Sequence, residues 1–476
     1  MNEQRLLLED VLRHNSSYDT GKIETLYRQA IERQTRKIFV LDDDPTGIQT
    51  THDVYVYTHW DEDTLTEAFQ DPYPISYLMT NTRALGARET EALIREVTES
   101  IVRVSERLGR EFIIVSRGDS TLRGHYPLET ATVRNVLTEN GITVDGEILI
   151  PFFEEGGRYT AEDMHYLTPD RKTLIPVGES EFARDWTFSY HASDLKAYIE
   201  EKTNGEFRQE DVISVSLAEL EALDYAGIRG KLLQLRDFGK LILNCTSYTE
   251  LKIFFTAFID ALASGKNYII QSAASATRVL SGRSERPLLS REELTGVNDF
   301  GLIVIGSHVQ RTNAQFRRLR ECHPELTYIE FDITGVLEPE RFAAEQERVQ
   351  KALTTAMERH ETTVLYTSRE DFTVNSGNQE DELRAAVQIS QAVTSFVEKL
   401  QVQPGFIIAK GGITSSGIGT RALGVRRALA LGQILPGVPV WQLGPESKFT
   451  GTSFTIFPGN VGSEDALNDA VEKLIP

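Results

Sequence analysis

The 476-residue chain exceeds the length that one ordinary hydrophobic core supports, so two or three domains are expected. A formal net charge of −21 argues against a nucleic-acid-binding protein and against one that binds anionic membrane surfaces. The two cysteines, Cys245 and Cys322, are far apart and lack metal-ligand spacing, a pattern typical of a reducing compartment. The polar first residues and the lack of a long apolar run predict a cytoplasmic protein that does not span a membrane.

Short apolar runs alternate with longer segments of helical periodicity, which favours mostly parallel, doubly wound sheets flanked by helices. The predicted strands are residues 38–41, 54–57, 75–79, 112–115, 148–150, 212–215, 241–243, 268–271, 302–305, 327–331, 363–366, 406–409 and 454–457. The predicted helices include residues 89–108, 127–139, 250–263, 310–321, 339–359 and 381–400. Residues 151–192 hold fewer regular runs and are expected to form a ligand-facing loop region.

This alternation predicts two unequal α/β domains with a cleft between them. Residues 1–36 are expected to form a helical extension that serves packing. The first α/β domain is placed at residues 37–282 and the second at residues 299–476. The polar residues 283–298 between them are the best candidate for a linker.

An acidic segment directly follows the first predicted buried strand. The carboxylates of Asp42–Asp44 come next after the apolar run, and Pro45–Gly47 then turn the chain. Ligands bind beyond the carboxyl ends of strands in open α/β sheets. Carboxylates at such a position can accept a proton from a hydroxyl or hold a magnesium ion. An acidic turn without function is the alternative for this segment by itself.

The strand at residues 112–115 leads into a second polar segment, Val115–Gly124. Arg117 and Arg123 suit bidentate capture of a carboxylate, and Asp119 suits hydrogen bonding or deprotonation of a hydroxyl. A structural Asp–Arg pair with helix-capping hydroxyls is the alternative. Two such segments in one domain favour a site for a polar substrate.

Two further strand ends carry polar residues. Asn81 and Arg83 follow the predicted strand at 75–79, and Glu154–Arg158 follows the strand at 148–150. Parallel strands place these ends at the same edge of a sheet. The mixture of arginines, carboxylates and hydroxyls fits a small polyhydroxy acid better than a hydrophobic ligand.

Three strand ends in the second half carry glycine. They are Ile305–Val309, Phe406–Thr420 and Phe457–Gly462, and each lies before a predicted helix. Backbone amides in such loops bind phosphate oxygens, which predicts a nucleotide pocket. Lys410 lies beside the middle loop, where it either assists phosphate binding or is solvated.

Other nucleotide motifs match poorly. The Walker A pattern is absent, which excludes a P-loop NTPase. Gly417–Ala422 fits the dinucleotide pattern with alanine last, but it begins well after the strand and no acidic residue follows at the ribose position. A nicotinamide-dependent dehydrogenase of a small hydroxy acid therefore stays an alternative, as does a non-catalytic sugar-acid-binding protein.

Taken together, the chain resembles the four-carbon acid sugar kinase family from about residue 37 to its end. Asp43–Gly47 matches the family signature Asp-Asp-Leu-Thr-Gly-Ala, and Asp119–Gly124 reproduces the motif Asp-Ser-Thr-Leu-Arg-Gly unchanged. Glu181–Asp185, Ala273–Ser275 and Pro458–Asn460 resemble further family segments. The order of these short motifs across both halves is more specific than any one of them.

The resemblance implies an ATP-dependent kinase that phosphorylates a hydroxyl of a small sugar acid. The first domain would bind a four-carbon or branched acid, 3-oxo forms included, and the second domain would bind ATP with Mg²⁺. Ile413 stands where the family often has an acidic residue, and Pro45 and Ile48 also depart from the signature. These departures indicate a divergent subgroup.

Roles follow from the motifs together with the resemblance. Asp43, Asp44 and Asp119 are the candidate catalytic residues, with Asp44 preferred as the base because it lies nearest the turn. The candidate substrate-binding residues are Asn81, Arg83, Ser120, Arg123, Gly157 and Arg158. By position in the family, the nucleotide contacts are Ser307, Gly411, Gly412, Ile413, Thr414 and Gly459. No side chain is assigned as a metal ligand, and a homodimer is left open.

Overall fold

The computed structural model describes residues 6–45, 47–294, 296, 298–369 and 379–475. The chain divides into two compact units. The first unit comprises Met1–Thr51 and His59–Ser284, and the second comprises His52–Thr58 and Glu285–Pro476. The predicted fold class, α/β with mostly parallel sheets in two domains, is confirmed.

Strands and helices alternate along much of both units. The strands are β1 (Leu6–Leu7), β2 (Lys37–Asp42), β3 (Val54–Tyr57), β4 (Ile75–Met79), β5 (Phe112–Arg117), β6 (Gly146–Ile150), β7 (Arg158–Ala161), β8 (Met164–Leu167), β9 (Thr173–Pro176), β10 (Ile213–Val215), β11 (Gly239–Leu243), β12 (Tyr268–Ser272), β13 (Gly301–Ile305), β14 (Thr327–Phe331), β15 (Thr363–Thr367), β16 (Phe406–Lys410), β17 (Arg427–Leu435), β18 (Val438–Leu443) and β19 (Ser453–Phe457). The α-helices are α1 (Leu8–Leu12), α2 (Thr20–Arg33), α3 (Glu62–Gln70), α4 (Ala87–Leu108), α5 (Leu128–Glu139), α6 (Leu195–Lys202), α7 (Leu217–Glu221), α8 (Tyr225–Gln234), α9 (Tyr248–Leu262), α10 (Ala274–Leu280), α11 (Arg291–Leu294), α12 (Gln310–Cys322), α13 (Pro339–Glu358), α14 (Gln379–Glu398), α15 (Gly412–Gly417) and α16 (Ala466–Glu472). Short 3₁₀ helices span Arg13–Ser17, Thr82–Ala84, Val177–Glu179, Phe182–Arg184 and Gln209–Asp211, and Ile418–Ala422 is π-helical.

The first unit is built on seven parallel strands in the order β10-β11-β6-β12-β5-β2-β4. Every residue of β2 is buried, because helices cover both faces of a parallel sheet and favour a continuous apolar run. Asp42, the last residue of β2, pairs in register with Met79 of β4 and Arg117 of β5. This register brings the polar segments after three strands to one edge of the sheet.

A four-stranded antiparallel sheet, in the order β1-β9-β8-β7, also belongs to the first unit. Residues 151–192 were expected to form a loop region, and that expectation is wrong for β7, β8 and β9. Residues 1–36 were expected to be helical, whereas Leu6–Leu7 form a strand paired with β9. Strands of two to four residues give too short a periodic signal to be distinguished from loops.

The N-terminal segment packs tightly against the first unit. Helix α2 lies against α9, and Tyr27 of α2 donates a hydrogen bond of 2.5 Å from its hydroxyl to the carbonyl of Val279. Ile23, Tyr27 and Ala30 are buried on the inner face of α2. These residues are part of the first core and do not form a separate extension.

The second unit contains an eight-stranded mixed sheet in the order β14-β15-β13-β16-β19-β18-β17-β3. The strands from β14 to β19 in this order are parallel, and β18, β17 and β3 continue the sheet in antiparallel fashion. The β17–β18 hairpin was not predicted, because residues alternate between buried and half-buried along β17 and form no apolar run.

Strand β3 was assigned to the first domain by its place in the sequence, and the structure corrects that assignment. The strand pairs antiparallel with β17, and the amides of Asp53 and Thr58 donate to the carbonyls of Ala430 and Arg426 at 2.7 and 3.1 Å. A four-residue run shows that a strand exists but carries no information about its partner.

Residues 283–298, which were expected to form a linker, belong largely to the second unit. The second unit begins at Glu285, and Leu289 and Leu294 are buried in its core. The amide of Leu289 donates to the carbonyl of Gln433 at 2.8 Å. The polar composition of this segment therefore did not reveal that part of it packs on the sheet. Among the described residues, none of the helices is both long and apolar enough to cross a membrane.

Candidate active site

The acidic segment after β2 begins with a carboxylate that is almost fully buried. Asp42 lies 3.4 Å from a guanidinium nitrogen of Arg117, and burial raises its pKa to about 8. Its carbonyl accepts hydrogen bonds from the amides of Thr80 and Asn81, both at 3.0 Å. A side chain at Gly47 would place its Cβ 1.9 Å from the Asp42 carboxylate, so only glycine permits this turn. Asp42 therefore holds the segment in place.

Asp43 is paired with Arg83 through both carboxylate oxygens. The Nε and Nη2 atoms of Arg83 donate at 2.9 and 2.5 Å, and Arg117 lies 3.6 Å away. Burial raises the pKa of Asp43, and the two guanidinium groups oppose that rise. Arg83 was expected to bind substrate, but its guanidinium is engaged by the protein's own carboxylates. This pairing fixes the loop after β4 against the loop after β2.

Asp44 is the most exposed of the three candidate catalytic carboxylates. Its side chain is 22% exposed, against 13% for Asp119 and 3% for Asp43. The Nη1 atom of Arg83 donates to it at 3.2 Å. One guanidinium therefore contacts both Asp43 and Asp44.

Asp119 lies at the start of the loop after β5 and accepts a hydrogen bond from Arg123 Nε at 2.7 Å and another from the Thr121 hydroxyl. Burial raises its pKa, but the charges of Arg83 and Arg123 and these two hydrogen bonds outweigh burial and hold the pKa well below its usual range. Asp119 is thus ionised at neutral pH.

The loop that carries Asp119 is anchored through its backbone. The hydroxyl of Tyr190 donates to the carbonyl of Thr121 at 2.6 Å, and that of Tyr198 donates to the carbonyl of Leu122 at 3.1 Å. Leu122 itself has φ +65°, an uncommon conformation for a branched residue. Backbone strain of this kind persists only where surrounding contacts fix it.

His165 anchors the same loop from the small sheet. Its Nε2 donates to the carbonyl of Ser120 at 2.8 Å, and its Nδ1 lies 2.9 Å from the Thr160 hydroxyl. Burial lowers its pKa to about 4, so the ring is neutral and Thr160 is the donor to Nδ1. His165 thereby positions the substrate candidate Ser120, which is itself buried.

Arg123 and Arg158 share one aromatic ring. Their guanidinium carbons lie 4.9 and 5.8 Å from the centroid of Phe182. Arg158 follows Gly157, whose φ of +72° and close approach to Thr168 form the turn that places it. Gly157 was expected to bind substrate, but its amide donates to the carbonyl of Glu154 and stabilises the turn. Phe182 belongs to the segment Glu181–Asp185, which resembles the family, but its contacts with the two arginines were not predicted from the sequence.

Arg158 has unused hydrogen-bonding capacity. Its Nε atom is buried, and no acceptor among the described residues lies within hydrogen-bonding distance. Burial lowers its pKa from the usual value, and the charge of Asp119 opposes that shift. A buried donor without an acceptor costs about 1–3 kcal/mol, which a ligand carboxylate would offset.

Glu129 of α5 was missed by sequence analysis. It accepts hydrogen bonds from Thr82 at 2.5 Å and Ser116 at 2.9 Å, and it is almost fully buried. Burial raises its pKa to about 7, with the charge of Asp43 acting in the same direction. Glu129 and Asp43 line one small cavity of about 20 Å³, room for a water molecule. A helical glutamate carries no sequence signal for this role.

Asn81 occupies the turn after β4. It adopts φ +52° and ψ +32°, a left-handed conformation that asparagine tolerates, and its amide donates to Asp42 as stated above. The turn aims the following 3₁₀ helix so that Arg83 reaches Asp43. The substrate candidates therefore lie in the segments that follow β4, β5 and β6, with Arg83 in a 3₁₀ helix and Arg158 as the first residue of β7.

In the second unit, the ends of three neighbouring strands β13, β16 and β19 converge. A Cβ at Gly459 would lie 2.8 Å from the Ser307 hydroxyl, and a Cβ at Gly411 would lie 3.1 Å from the Ser307 Cβ. A Cβ at Gly306 would lie 2.3 Å from the Thr414 hydroxyl. Glycine at these positions leaves the backbone open to close approach, as phosphate binding requires.

The chain after β16 differs from the expected loop. Helix α15 starts at Gly412, directly after Gly411, so Gly412 and Thr414 are helical residues, and Ile413 is 71% exposed. Gly411 alone makes the turn, with φ +119° and its amide donating to the carbonyl of Phe457 at 2.8 Å. The Gly417–Ala422 pattern lies within α15 and the π-helical turn, away from the strand end that a dinucleotide-binding loop occupies.

Lys410 is buried and not solvated. Its Nζ donates to the carbonyl of Pro458 at 2.6 Å and lies 3.8 Å from the centroid of Phe457. Burial lowers its pKa to about 6, and the charge of Arg311 acts in the same direction. The side chain therefore ties β16 to the loop after β19.

Comparisons with known proteins agree with this two-part organisation. A sugar-binding N-terminal domain matches residues 38–280 and a nucleotide-binding C-terminal domain matches residues 302–467. The chain belongs to the four-carbon acid sugar kinase family. The resemblance read from the sequence motifs is confirmed. This member of the family accordingly combines a sugar-binding domain with a nucleotide-binding domain.

Solved structures share the fold of this family member. A protein of Salmonella typhimurium LT2, provisionally described as a tRNA synthase, is 15% identical, with a TM-score of 0.67 over 92% of this chain and 99% of that one. A Haemophilus influenzae protein of the DUF1537 family is also 15% identical, with a TM-score of 0.61 over 92% of this chain and 100% of that one. At such identity the likeness concerns the fold alone. A comparison with curated proteins found no match.

Proposed function

We propose that the protein is an ATP-dependent kinase that transfers the terminal phosphoryl group of ATP to a hydroxyl of a small sugar acid. The observation that carries the proposal is the cluster at the ends of β2 and β5, where the ionised Asp119 stands beside Arg123 and Arg158, whose Nε has no acceptor among the described residues. This cluster lies in the domain matched as sugar-binding. The glycine-lined strand ends lie in the domain matched as nucleotide-binding.

The arginines above Phe182 suit the carboxylate of the substrate. Arg158 Nε has no acceptor among the described residues. Arg123 keeps part of its guanidinium for a ligand, because its Nε contacts Asp119 and its Nη1 lies 3.9 Å from Asp185. Arg83 is assigned to positioning, since Asp43 and Asp44 occupy its donors. We therefore assign binding of the substrate carboxylate to Arg123 and Arg158 and not to Arg83.

Asp44 stays the proposed base. The hydroxyl oxygen attacks the terminal phosphorus, the bond to the bridging oxygen of ADP breaks, and a carboxylate accepts the hydroxyl proton. Asp43 is held on both oxygens by Arg83, whereas Asp44 has a longer contact and a more exposed carboxylate. Asp119 is too strongly stabilised as an anion to be an effective proton acceptor.

Nucleotide binding is assigned to the second unit. Ser307 and the backbone at Gly411, Thr414 and Gly459 would contact phosphate oxygens, as their positions in the family imply. The described residues contain no group of three or more His, Cys, Asp or Glu side chains arranged to hold a metal ion. Magnesium in phosphoryl transfer takes most of its ligands from phosphates and water, so this donor set fits a metal that arrives with ATP.

The substrate class is a four-carbon or branched sugar acid, with 3-oxo acids included. A nicotinamide-dependent dehydrogenase is disfavoured because the Gly417 pattern lies inside helical structure. A non-catalytic sugar-acid-binding protein would keep the first cluster but would bind no nucleotide.

The test is ADP release in the presence of ATP, Mg²⁺ and a panel of four-carbon and branched sugar acids, each also supplied in its 3-oxo form. Release that depends on one acid supports the kinase. Thermal-shift measurements with ATP and with NAD separate the alternatives, because a bound ligand raises the melting temperature. Stabilisation by NAD and not by ATP would contradict the proposal.

A further inference from the structure

A carboxylate holds the hairpin turn that leads into Arg158. The amide of Phe153 donates to the carbonyl of Arg158 at 3.1 Å, and the amide of Arg158 donates back to the carbonyl of Phe153 at 2.9 Å. Glu155 lies in the turn between these paired residues, and its side chain is 21% exposed. The hydroxyl of Tyr248 lies 2.7 and 2.9 Å from its two carboxylate oxygens. The turn is therefore bound through a side chain as well as through its backbone.

The partners of Glu155 come from the two strands that flank β6. Tyr248 is the first residue of α9, which follows β11, and Arg278 lies in α10, which follows β12. Arg278 Nη1 donates to Glu155 at 3.3 Å, and the guanidinium carbon lies 4.2 Å from the centroid of the Tyr248 ring. Burial and the charge of Glu155 raise the pKa of Tyr248, so its hydroxyl is neutral and donates. Glu155 thus joins the turn after β6 to helices on both sides.

Ser275 completes this cluster of side chains. Its hydroxyl donates to the Tyr248 oxygen at 3.1 Å and accepts a hydrogen bond from the amide of Glu154 at 3.3 Å. The residue is buried and ends the segment Ala273–Ser275, which resembles the family. One hydroxyl therefore contacts both the turn and the tyrosine that binds Glu155.

The turn also contacts the guanidinium of Arg158. A Cβ at Gly156 would lie 3.2 Å from Arg158 Nη1, so the guanidinium packs directly on the turn where glycine leaves room for it. Its carbon lies 5.8 Å from the centroid of Phe182. Because Arg158 Nε has no acceptor among the described residues, packing against the turn and the ring fixes its orientation. A shift of the turn would move the donor that faces the substrate.

We infer that Glu155 is a positioning residue that holds Arg158 ready for the carboxylate of the sugar acid. The inference rests on the proposed function, which assigns that carboxylate to Arg123 and Arg158, and adds the side chains that orient one of them. A donor that is already ordered loses less conformational entropy when the ligand binds. Loss of this order weakens substrate binding and leaves the phosphoryl-transfer step unchanged, so the effect falls on KM and not on kcat.

The experiment measures ADP release by the full chain with ATP, Mg²⁺ and the acid of the panel that supports release by the wild type. Glu155→Ala removes the carboxylate, Glu155→Gln keeps one acceptor oxygen, and Tyr248→Phe removes only the hydroxyl that binds it. Glu24→Ala is the matched control. Glu24 also bonds to cations, Lys252 at 2.6 Å and Arg28 at 2.7 Å, but it belongs to helix α2 near the N-terminus.

Glu155→Ala and Tyr248→Phe are expected to raise the KM for the sugar acid about tenfold, with kcat and the KM for ATP within about twofold of the wild type. Glu155→Gln should show a smaller rise, because an acceptor for the tyrosine hydroxyl remains. Glu24→Ala should match the wild type in all three constants. When Glu155→Ala is added to Arg158→Gln, the KM should not rise further, since Glu155 acts through Arg158.

If the wild type is active but Glu155→Ala and Tyr248→Phe keep its KM for the acid, the inference is overturned while the proposed function stands. A further rise of about tenfold in the Arg158→Gln background would also overturn it, because the two residues would then act independently. If no acid stimulates ADP release by the wild type, the proposed function fails and the inference fails with it. Tyr248→Phe deletes a single oxygen and decides the question where Glu155→Ala lowers the melting temperature.

Discussion

Arg83 binds both carboxylate oxygens of Asp43, and its third nitrogen contacts Asp44. One side chain thus orients two of the three candidate catalytic carboxylates. The side chain of Asp43 is almost fully buried, whereas the side chain of Asp44 is partly exposed to solvent. The difference separates a positioning carboxylate from a reactive one.

Substitution Asp44→Asn is expected to lower turnover by about 100-fold or more, because general base catalysis contributes rate factors of that order. Substrate binding and melting temperature are expected to change little. Turnover is measured as ADP release at saturating ATP and sugar acid. Asp63→Asn, at an exposed position in the first turn of α3, is the control and should keep full turnover. Wild-type turnover in Asp44→Asn would remove this residue from the role of base.

Substitution Arg158→Gln is expected to raise the KM for the sugar acid about tenfold or more, since it removes the donor assigned to the carboxylate. The KM for ATP should stay the same, because the residue belongs to the first unit. Arg171→Gln, at an exposed arginine in the same part of the chain, is the control. An equal rise in both KM values would indicate a general loss of structure and would contradict the assignment.

Substitution Gly459→Ala introduces a methyl group 2.8 Å from the Ser307 hydroxyl. The resulting displacement of Ser307 is expected to weaken ATP binding about tenfold, measured by calorimetry. Gly230→Ala is the control, because a Cβ there meets nothing within 4 Å and lies in helix α8. ATP affinity equal to the wild type would show that the phosphates bind elsewhere.

Glu129 predicts a pH dependence of stability. Its pKa is about 7 in the folded protein and 4.5 as the ordinary value, so the folded state binds the proton more tightly. Stability from this group is therefore fully present at low pH and is lost as pH rises from 4.5 through 7. The loss amounts to at most about 3 kcal/mol.

The variant Glu129→Gln cannot ionise and is expected to escape this loss. Its melting temperature relative to the wild type should rise between pH 5 and pH 8. The comparison uses thermal unfolding at both pH values without ligand. A constant difference across that range would mean that Glu129 is already ionised at pH 5 in the folded state.

The parallel strands were predicted within one or two residues because all of them except the edge strands β10 and β14 are mostly buried. Residues 75–79 and 327–331 were predicted with the bounds that β4 and β14 have. Strand β17 was missed because its residues alternate in burial, a pattern that is also compatible with exposed loops. Local periodicity thus identified the parallel strands and missed the antiparallel β17–β18 hairpin, although β17 lies between β18 and β3 in the sheet.

The sequence predicted which loops lie close together at the site, but not which side chains contact one another. Strand ends at Asp43, Asn81 and Asp119 lie together because parallel register requires it. The sequence could not show that Arg83 is engaged by Asp43, because rotamers decide which partner a long side chain reaches. Glu129 was missed because a glutamate within a helix carries no sequence signal, and the contacts of Phe182 with two arginines were not predicted although its segment resembles the family.

The position of β3 has a consequence for synthesis and for separation of the halves. This strand leaves the ribosome long before β17, its hydrogen-bonding partner, so the second sheet cannot be completed until most of the chain exists. A fragment that starts at Glu285 would contain nearly all of the second unit yet expose the backbone of β17 along one edge. Unpaired edges of this kind associate with other chains. A synthetic peptide with the sequence of residues 52–58 would be the natural complement to such a fragment.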